Sequence, residues 1–171
     1  MKAFVITDIH GHYDEMIKAL DEKGFEKDNH SHFLISLGDA TDRGPKNLEV
    51  LKFINSIPKE RKILIKGNHE DMIEEIFQSG YIQQHNIRNG TLKTLFELSG
   101  IDEMDEKEAR SYSDSEIIER AKNNKEWIDY ENCLVDYFET PKYIFVHGWI
   151  PTKLTESSSW DISGMVYDID V

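Results

Sequence analysis

The sequence predicts an α/β fold built on a mainly parallel β-sheet. Three short apolar runs, at 2–7, 33–37 and 63–66, are each followed by a polar loop and then by apolar residues at helical spacing. Strands that alternate with helices need crossover connections, and such connections produce parallel pairing. Parallel strands are covered on both faces, which explains why these runs are apolar along most of their length.

Each strand is followed by a predicted helix. The helices span Tyr13 to Lys23, the region around 48–54 that is closed by Pro58, and Glu70 to Gln78. Their apolar positions recur every three or four residues: Met16, Ile17 and Leu20 in the first, Leu48, Val50, Leu51 and Ile54 in the second, and Met72, Ile73, Ile76 and Phe77 in the third.

The region from about 79 to 129 predicts a helical insert, polar and acidic, with two amphipathic stretches. Their apolar residues are Leu92, Leu95, Phe96 and Leu98 in one stretch, and Ile117, Ile118 and Ala121 in the other. The acidic run 102–108 is typical of a solvated helix face. Beyond the insert, 134–138 and 143–146 predict two strands joined by a turn at 140–142, which would open a second, antiparallel sheet.

Length and charge restrict the class of protein. The 171 residues contain no Pro/Gly/Ser-rich linker, so one domain over 1–171 is expected. A net charge of -13 argues against nucleic-acid binding, which needs a basic surface. No apolar run could cross a bilayer, and the first residues lack a secretion signal, so a cytoplasmic protein without a membrane partner is expected. Nothing in the sequence indicates an oligomeric state.

Four polar motifs follow apolar runs, in the order Asp8-Ile9-His10-Gly11, Gly38-Asp39-Ala40-Thr41-Asp42-Arg43-Gly44, Gly67-Asn68-His69-Glu70 and His147-Gly148. Each motif alone could be an ordinary polar turn or a helix cap. Together they lie where parallel strands end, which is where open α/β folds build their sites. Carboxylate, imidazole and amide groups are ligands for divalent cations, so the motifs predict a two-metal site that cleaves phosphate esters.

Five side chains are expected to hold the two cations. Asp8 and His10 suit one ion, Asn68 and His147 suit the other, and the two carboxylate oxygens of Asp39 can bridge them. Two divalent cations exceed the negative charge of the two aspartates and a bridging hydroxide, so an incoming phosphate is attracted. The hydroxide is the expected nucleophile, and it attacks phosphorus directly.

Three further residues have predicted roles in the reaction. His69 is expected to be the general acid, with Asp42 orienting it through a hydrogen bond. Arg43 can grip two phosphoryl oxygens at once with its planar fork of donors. Arg43 and Asn68 are the residues predicted to bind the substrate phosphate, and Asn68 has this role in addition to that of a metal ligand.

These motifs resemble those of the calcineurin-like metallophosphoesterases, in particular the phosphoprotein phosphatase branch that includes phage lambda and bacterial serine/threonine phosphatases. The discriminating detail is Arg43-Gly44, which protein phosphatases share with diadenosine tetraphosphatases. The resemblance covers 1 to about 151 and implies the same residue roles. It also implies two packed mixed β-sheets flanked by helices, and manganese as the usual metal, with Fe, Zn and Ni as other candidates.

Members of this family continue past Pro151 with an arginine that contacts phosphate and a Gly-His turn that completes the second metal's ligands. No arginine follows Arg120 here, and no histidine follows His147. The expectation is a sequence that lacks the family's C-terminal strands and binds the second cation weakly. The alternatives are that another chain supplies these groups, or that the phosphatase is defective.

Three functions follow from the resemblance. The first is hydrolysis of phosphomonoesters, with phosphoserine or phosphothreonine in proteins as substrate. The second is hydrolysis of diadenosine tetraphosphate or a related dinucleoside polyphosphate, which the acidic insert mildly disfavours by repulsion. The third is a truncated or inactive metal-binding module. The expected partner is a phosphoprotein or a small phosphorylated substrate.

Overall fold

The computed structural model describes residues 1–101, 111–148 and 167–170. Its strands are β1 (Lys2–Ile6), β2 (His32–Ser36), β3 (Lys62–Ile65), β4 (Leu134–Val135), β5 (Phe138–Glu139), β6 (Ile144–Phe145) and β7 (Tyr167–Asp170). Its helices are α1 (Tyr13–Glu22), α2 (Asn47–Asn55), α3 (Asn68–Ser79), α4 (Gln84–Arg88), α5 (Thr91–Ser99), α6 (Asp114–Lys122) and α7 (Lys125–Glu131), with a short 3₁₀ helix at Lys59–Arg61. No helix in these ranges is long and apolar enough to span a membrane.

The main sheet has the strand order β4-β3-β2-β1-β7. Its first four strands are parallel, as the alternating pattern predicts, with Phe4 opposite Leu34 and Ile35 opposite Ile63. β7 adds an antiparallel edge strand beside β1, so the sheet is mixed. β7 was not predicted from the sequence.

The second sheet is smaller than predicted. The expected strand 134–138 is divided: β4 pairs with β3 in the main sheet, and only β5 pairs with β6 in an antiparallel hairpin. The division arises because Leu134 packs against the core beneath the main sheet, while the amide of Lys66 donates to the carbonyl of Val135 at 2.9 Å. The predicted turn is present, with the Thr140 amide donating to the Tyr143 carbonyl at 2.8 Å.

Alternate residues of each strand face opposite sides of the main sheet. On one side, Phe4 and Leu34 join the large core formed with the helices, which continues to Trp127 in α7. On the other side, Val5 and Ile35 form a smaller cluster, against which Phe145 of β6 packs. The chain therefore has the expected architecture of two packed sheets flanked by helices.

The region between α3 and β4 is helical where it is described, as predicted. The predicted apolar positions Leu95 and Leu98 of α5, and Ile117 and Ile118 of α6, are buried in the large core. The acidic run 102–108 and the segment around Pro151 lie outside the described residues. α3 begins at Asn68, two residues before the predicted start, which places the backbone of His69 in its first turn.

Candidate metal centre

Two loops at the carboxyl end of the main sheet form the base of the candidate site. They follow β1 and β2, which are adjacent and parallel, so both loops leave the sheet at the same edge. The His10 amide donates to the Asp39 carbonyl, and the Gly11 amide donates to the Ala40 carbonyl, each at 2.9 Å. The two loops therefore form one hydrogen-bonded unit.

Backbone strain in the described residues is concentrated in this unit. Five residues other than glycine have positive φ: Asp8 (51°), His10 (47°), Asp39 (54°), Asp42 (75°) and Arg43 (64°). Such conformations cost on the order of 1–3 kcal/mol each and persist where the surroundings fix them. All five are residues that the sequence motifs assign to the site.

A third loop, between β3 and α3, packs closely against the second. A Cβ atom on Gly38 would lie 2.7 Å from the Gly67 Cα atom, and one on Gly67 would lie 2.2 Å from Oδ1 of Asp39. The absence of side chains at both glycines allows this approach. It brings the His69 amide, at the start of α3, within 3.0 Å of Oδ1 of Asp39.

The first predicted ligand group is largely buried. Nε2 of His10 lies 3.9 Å from Oδ1 of Asp8 and 3.6 Å from Oδ2 of Asp39. Nδ1 of His10 donates to the Thr41 carbonyl at 3.0 Å, which leaves Nε2 with its lone pair free of a proton on the side of the two carboxylates, where Nη1 of Arg43 donates to it at 3.0 Å. Burial lowers the pKa of His10, with Arg43 and His69 adding to the effect and Thr41 and Asp39 opposing it, and this direction favours the neutral imidazole that binds metals.

The second predicted ligand group lies on the other side of Asp39. Nε2 of His147 is 3.4 Å from Oδ1 of Asp39 and 3.0 Å from Oδ1 of Asn68. Nδ1 of His147 donates to the Leu37 carbonyl at 2.6 Å, so Nε2 again faces the carboxylate. Asp39 thus turns one oxygen toward each group, as a bridging ligand would.

These donor sets fit divalent cations. Ligand atoms of Asp8, Asp39 and His147 lie within 4.8 Å of one another, and so do those of His10, Asp39 and His69. These triads share Asp39, as predicted, but they place Asp8 with His147 and place His10 with His69, the predicted acid. Bond lengths of about 2.0–2.2 Å to nitrogen and oxygen are compatible with such separations. Mixed imidazole and oxygen ligands suit several transition metals, so the donor set alone does not select one of them.

The predicted acid pair and phosphate clamp lie beside these ligands. Nδ1 of His69 is 2.7 Å from Oδ2 of Asp42, and both side chains are fully buried. The Arg43 guanidinium lies against both histidines, with Nη1 at 3.0 Å from Nε2 of His10 and Nη2 at 3.0 Å from Nε2 of His69. Arg43, Asp8 and Asn68 are exposed, so they line the open side of the centre.

The role of Glu70 was missed in the sequence analysis. Its buried carboxylate accepts hydrogen bonds from the amides of Asp39 (2.9 Å), Ala40 (2.9 Å) and Gly67 (2.8 Å), and from the Tyr130 hydroxyl (3.0 Å). Burial raises the pKa of Glu70, and the backbone donors oppose that shift. Glu70 is the third residue of α3, where a glutamate that accepts from the N-cap amide is half of a capping box; its place three residues after Gly67 was the available signal.

Two threonines of α5 were also missed. Their hydroxyls contact the carboxylate of Asp42, Thr91 at Oδ2 and Thr94 at Oδ1, each at 2.6 Å. Threonine is an ordinary residue at a buried helical position, so no local pattern indicated these contacts.

Several curated proteins are similar to part of this chain. The asymmetrical bis(5'-nucleosyl)-tetraphosphatase PrpE of Halalkalibacterium halodurans is 30% identical over 110 residues, covering 60% of this chain and 44% of that protein. PrpE of Bacillus velezensis is 35% identical over 105 residues, covering 57% and 42%. The symmetrical bis(5'-nucleosyl)-tetraphosphatase of Buchnera aphidicola is 37% identical over 79 residues, covering 46% and 27%. The chain thus spans less than half the length of these relatives.

Among solved structures, a cold-active protein-tyrosine phosphatase of a psychrophilic Shewanella is similar over 50% of this chain and 29% of its own, with 26% identity and a TM-score of 0.37. The family model of the calcineurin-like phosphoesterases matches residues 1–169, nearly the whole sequence. That family is divalent-metal dependent, which agrees with the paired ligand groups around Asp39. By this match, and in agreement with the resemblance of its motifs, the chain belongs to the calcineurin-like phosphoesterase family of hydrolases.

Proposed function

We propose that the protein hydrolyses dinucleoside polyphosphates at a two-metal centre, with diadenosine tetraphosphate as the representative substrate. The observation that carries the chemistry is the shared position of Asp39 between two ligand groups, with the His69–Asp42 pair and Arg43 directly beside it. The named relatives favour this substrate over the phosphoprotein expected from the motifs.

The residues divide into two ligand sets in this proposal. Asp8, His10 and Asp39 hold one cation, and Asp39, Asn68 and His147 hold the other. When bound, such cations neutralise phosphoryl oxygens and lower the pKa of the attacking water. Manganese is the proposed metal.

The remaining residues bind the substrate and move the proton. Arg43 is exposed and adjacent to both histidines, so its guanidinium holds two phosphoryl oxygens at the open side of the centre. His69 acts in this proposal as the imidazolium: Asp42 accepts from its Nδ1–H, and its Nε2–H gives the proton to the leaving oxygen. The Arg43 guanidinium, whose Nη2 lies 3.0 Å from Nε2, turns from that nitrogen to the phosphoryl oxygens when substrate binds, because two donors cannot share the contact. Asp42 fixes the orientation of that ring.

A substrate panel tests the proposal. The manganese-loaded protein is incubated with diadenosine tetraphosphate, a phosphothreonine peptide and p-nitrophenyl phosphate, and the products are separated by anion-exchange chromatography. We expect the dinucleotide to be cleaved with the highest kcat/KM, and His69→Asn to lose about 10²- to 10⁴-fold. The matched control is His30→Asn, because His30 is exposed and precedes β2, at the opposite end of that strand from Asp39.

Two other outcomes of the substrate panel would contradict the proposed substrate or the proposed activity. Preference for the phosphopeptide would replace the dinucleotide with a protein substrate. Stoichiometric metal binding without turnover of any substrate, with Mn, Fe, Zn and Ni each tried, would show a metal-binding module and overturn the proposal.

A further inference from the structure

We propose that Thr91 and Thr94 of α5 are positioning residues that hold Asp42 and, through it, His69. This inference rests on the proposed function, because that function makes His69 the group that protonates the leaving oxygen. If the two threonines hold Asp42, the helical insert that contains α5 has a role in the chemistry in addition to any role in covering the substrate.

The first observation is how the Asp42 carboxylate is held. The Thr91 hydroxyl donates to Oδ2 and the Thr94 hydroxyl donates to Oδ1, each at 2.6 Å. Nδ1 of His69 also donates to Oδ2, at 2.7 Å. All four residues are buried, so these donors fix the rotation of the carboxylate in a region that water does not reach.

The second observation concerns the backbone of Asp42. Its amide donates to the Thr94 hydroxyl oxygen at 3.1 Å, so one threonine holds both the main chain and the side chain of the same residue. Asp42 and the following Arg43 have φ of 75° and 64°, a strained pair that needs support from its surroundings.

The third observation is independent of hydrogen bonding. Gly90, directly before α5, has φ of 86°, and a Cβ atom there would lie 2.5 Å from the Arg43 amide nitrogen. The beginning of α5 is therefore in backbone contact with the loop that carries Asp42 and Arg43. Thr91 and Thr94, three residues apart, lie on one face of the helix.

These contacts predict which step of the reaction is slowed when a threonine hydroxyl is lost. Threonine is restricted at χ1, so each hydroxyl has a defined position on a helix that packs against the loop. Loss of the Thr94 hydroxyl leaves Oδ1 of Asp42 without that donor, and loss of the Thr91 hydroxyl leaves Oδ2 with His69 alone, so in either case the carboxylate is less firmly held and no longer fixes the His69 ring. The step that suffers is proton transfer to the leaving group, while the ligands of the metals keep their own contacts.

Leaving-group dependence tests this consequence. For Thr91→Val and Thr94→Val we expect kcat to fall about 10-fold or more with phenyl phosphate, which needs the acid, and less than about 3-fold with p-nitrophenyl phosphate, which has a good leaving group. Thr91→Ser and Thr94→Ser should restore most of the loss. Ser99→Ala, which removes a hydroxyl at the other end of α5, should leave the ratio between the two substrates unchanged.

Equal losses on both substrates, or an unchanged ratio in the valine variants, would overturn the inference. If Thr94→Val does not fold, Thr91→Val decides the matter, because it leaves the bond between the Asp42 amide and Thr94 intact. A wild-type protein that cleaves neither ester nor diadenosine tetraphosphate would contradict the proposed function instead.

A second readout needs no activity. In the metal-free protein, the Nδ1 proton of His69 should give a downfield NMR signal, assigned by its loss in His69→Gln. We expect faster exchange of that proton with water in both valine variants and no change in Ser99→Ala. Unchanged exchange in the valine variants would overturn the inference whether or not the protein is active.

Discussion

The two ligand groups that share Asp39 are built in different ways. His10 and Asp39 belong to loops that are hydrogen-bonded to each other, and their side chains are only 8% and 4% exposed. His147 follows the two-residue strand β6, its side chain is 16% exposed, and its partner Asn68 is exposed. The first group is fixed by the main sheet, whereas the second depends on how a small hairpin packs.

This difference between the two ligand groups should affect the free energy with which each binds a cation. A cation bound by the first group meets His10 and Asp39 already oriented by the fold, so only the more exposed Asp8, whose side chain is 43% exposed, has to be ordered. A cation bound by the second group must also hold the hairpin in place. We therefore expect tighter binding at Asp8, His10 and Asp39 than at Asn68 and His147.

The largest effect should come from Asp39→Asn, which removes the charge that both groups share. Losing the metal contribution to the transition state costs several kcal/mol, so kcat should fall about 10³-fold. Metal content, measured by atomic emission after gel filtration, should fall for both cations. Asp21→Asn changes an exposed aspartate of α1 and should alter neither quantity; retention of two cations by Asp39→Asn would refute the bridging role.

His10→Ala and His147→Ala should separate the two groups. Calorimetric titration with Mn²⁺ should show that His147→Ala loses the weaker event and keeps the tighter one, whereas His10→Ala weakens the tighter event about 100-fold or more. The reason is that each imidazole presents Nε2 to a different oxygen of Asp39. If both variants lose the same event, the site contains one cation rather than two.

A substitution in the β5–β6 hairpin should weaken cation binding only at the second ligand group. Phe145→Ala removes the ring that packs β6 against the main sheet, and the affinity of the weaker cation should fall by about 3- to 10-fold, for a loss of about 1 kcal/mol. Ile144→Ala alters the neighbouring residue, which is 51% exposed, and serves as the control. Equal weakening of both cations by Phe145→Ala would show that the hairpin supports the whole centre.

The smallest expected effect is on stability, through the hydrogen bond from Tyr130 to Glu70 behind the first ligand group. Tyr130→Phe removes the hydroxyl that donates to Glu70 and should lower the free energy of unfolding by about 1–2 kcal/mol, measured in urea. Tyr137→Phe, at a residue that is 60% exposed, should change it by less than about 0.5 kcal/mol. A Tyr130→Phe protein as stable as the wild type would exclude this support.

Much of the site was predictable because its motifs are local. Each one follows a strand, and parallel strands end at one edge, so Asp8, His10 and Asp39 had to lie near one another once the alternating pattern was recognised. His147 is brought to the same place although the strands before it were divided differently from the prediction. The roles of these residues remain predictions that the experiments above test.

The contacts that could not be predicted join distant segments. Thr91 and Thr94 lie 49 and 52 residues from Asp42, and Tyr130 lies 60 residues from Glu70. Such pairs depend on how the insert packs on the sheet, and no local spacing encodes that packing. β4 was placed in the wrong sheet for a related reason, since two residues carry too little periodicity to identify a partner strand.

The five left-handed backbone positions also limit which sequences can replace this one. Asparagine and glycine are the substitutes that such torsions accept most readily, whereas valine, isoleucine and threonine are disfavoured there by steric clashes. Mutant libraries built to change the metal preference should therefore use only such residues at positions 8, 10, 39, 42 and 43. A wider set of amino acids can be tried at positions 68 and 147, where φ is not positive.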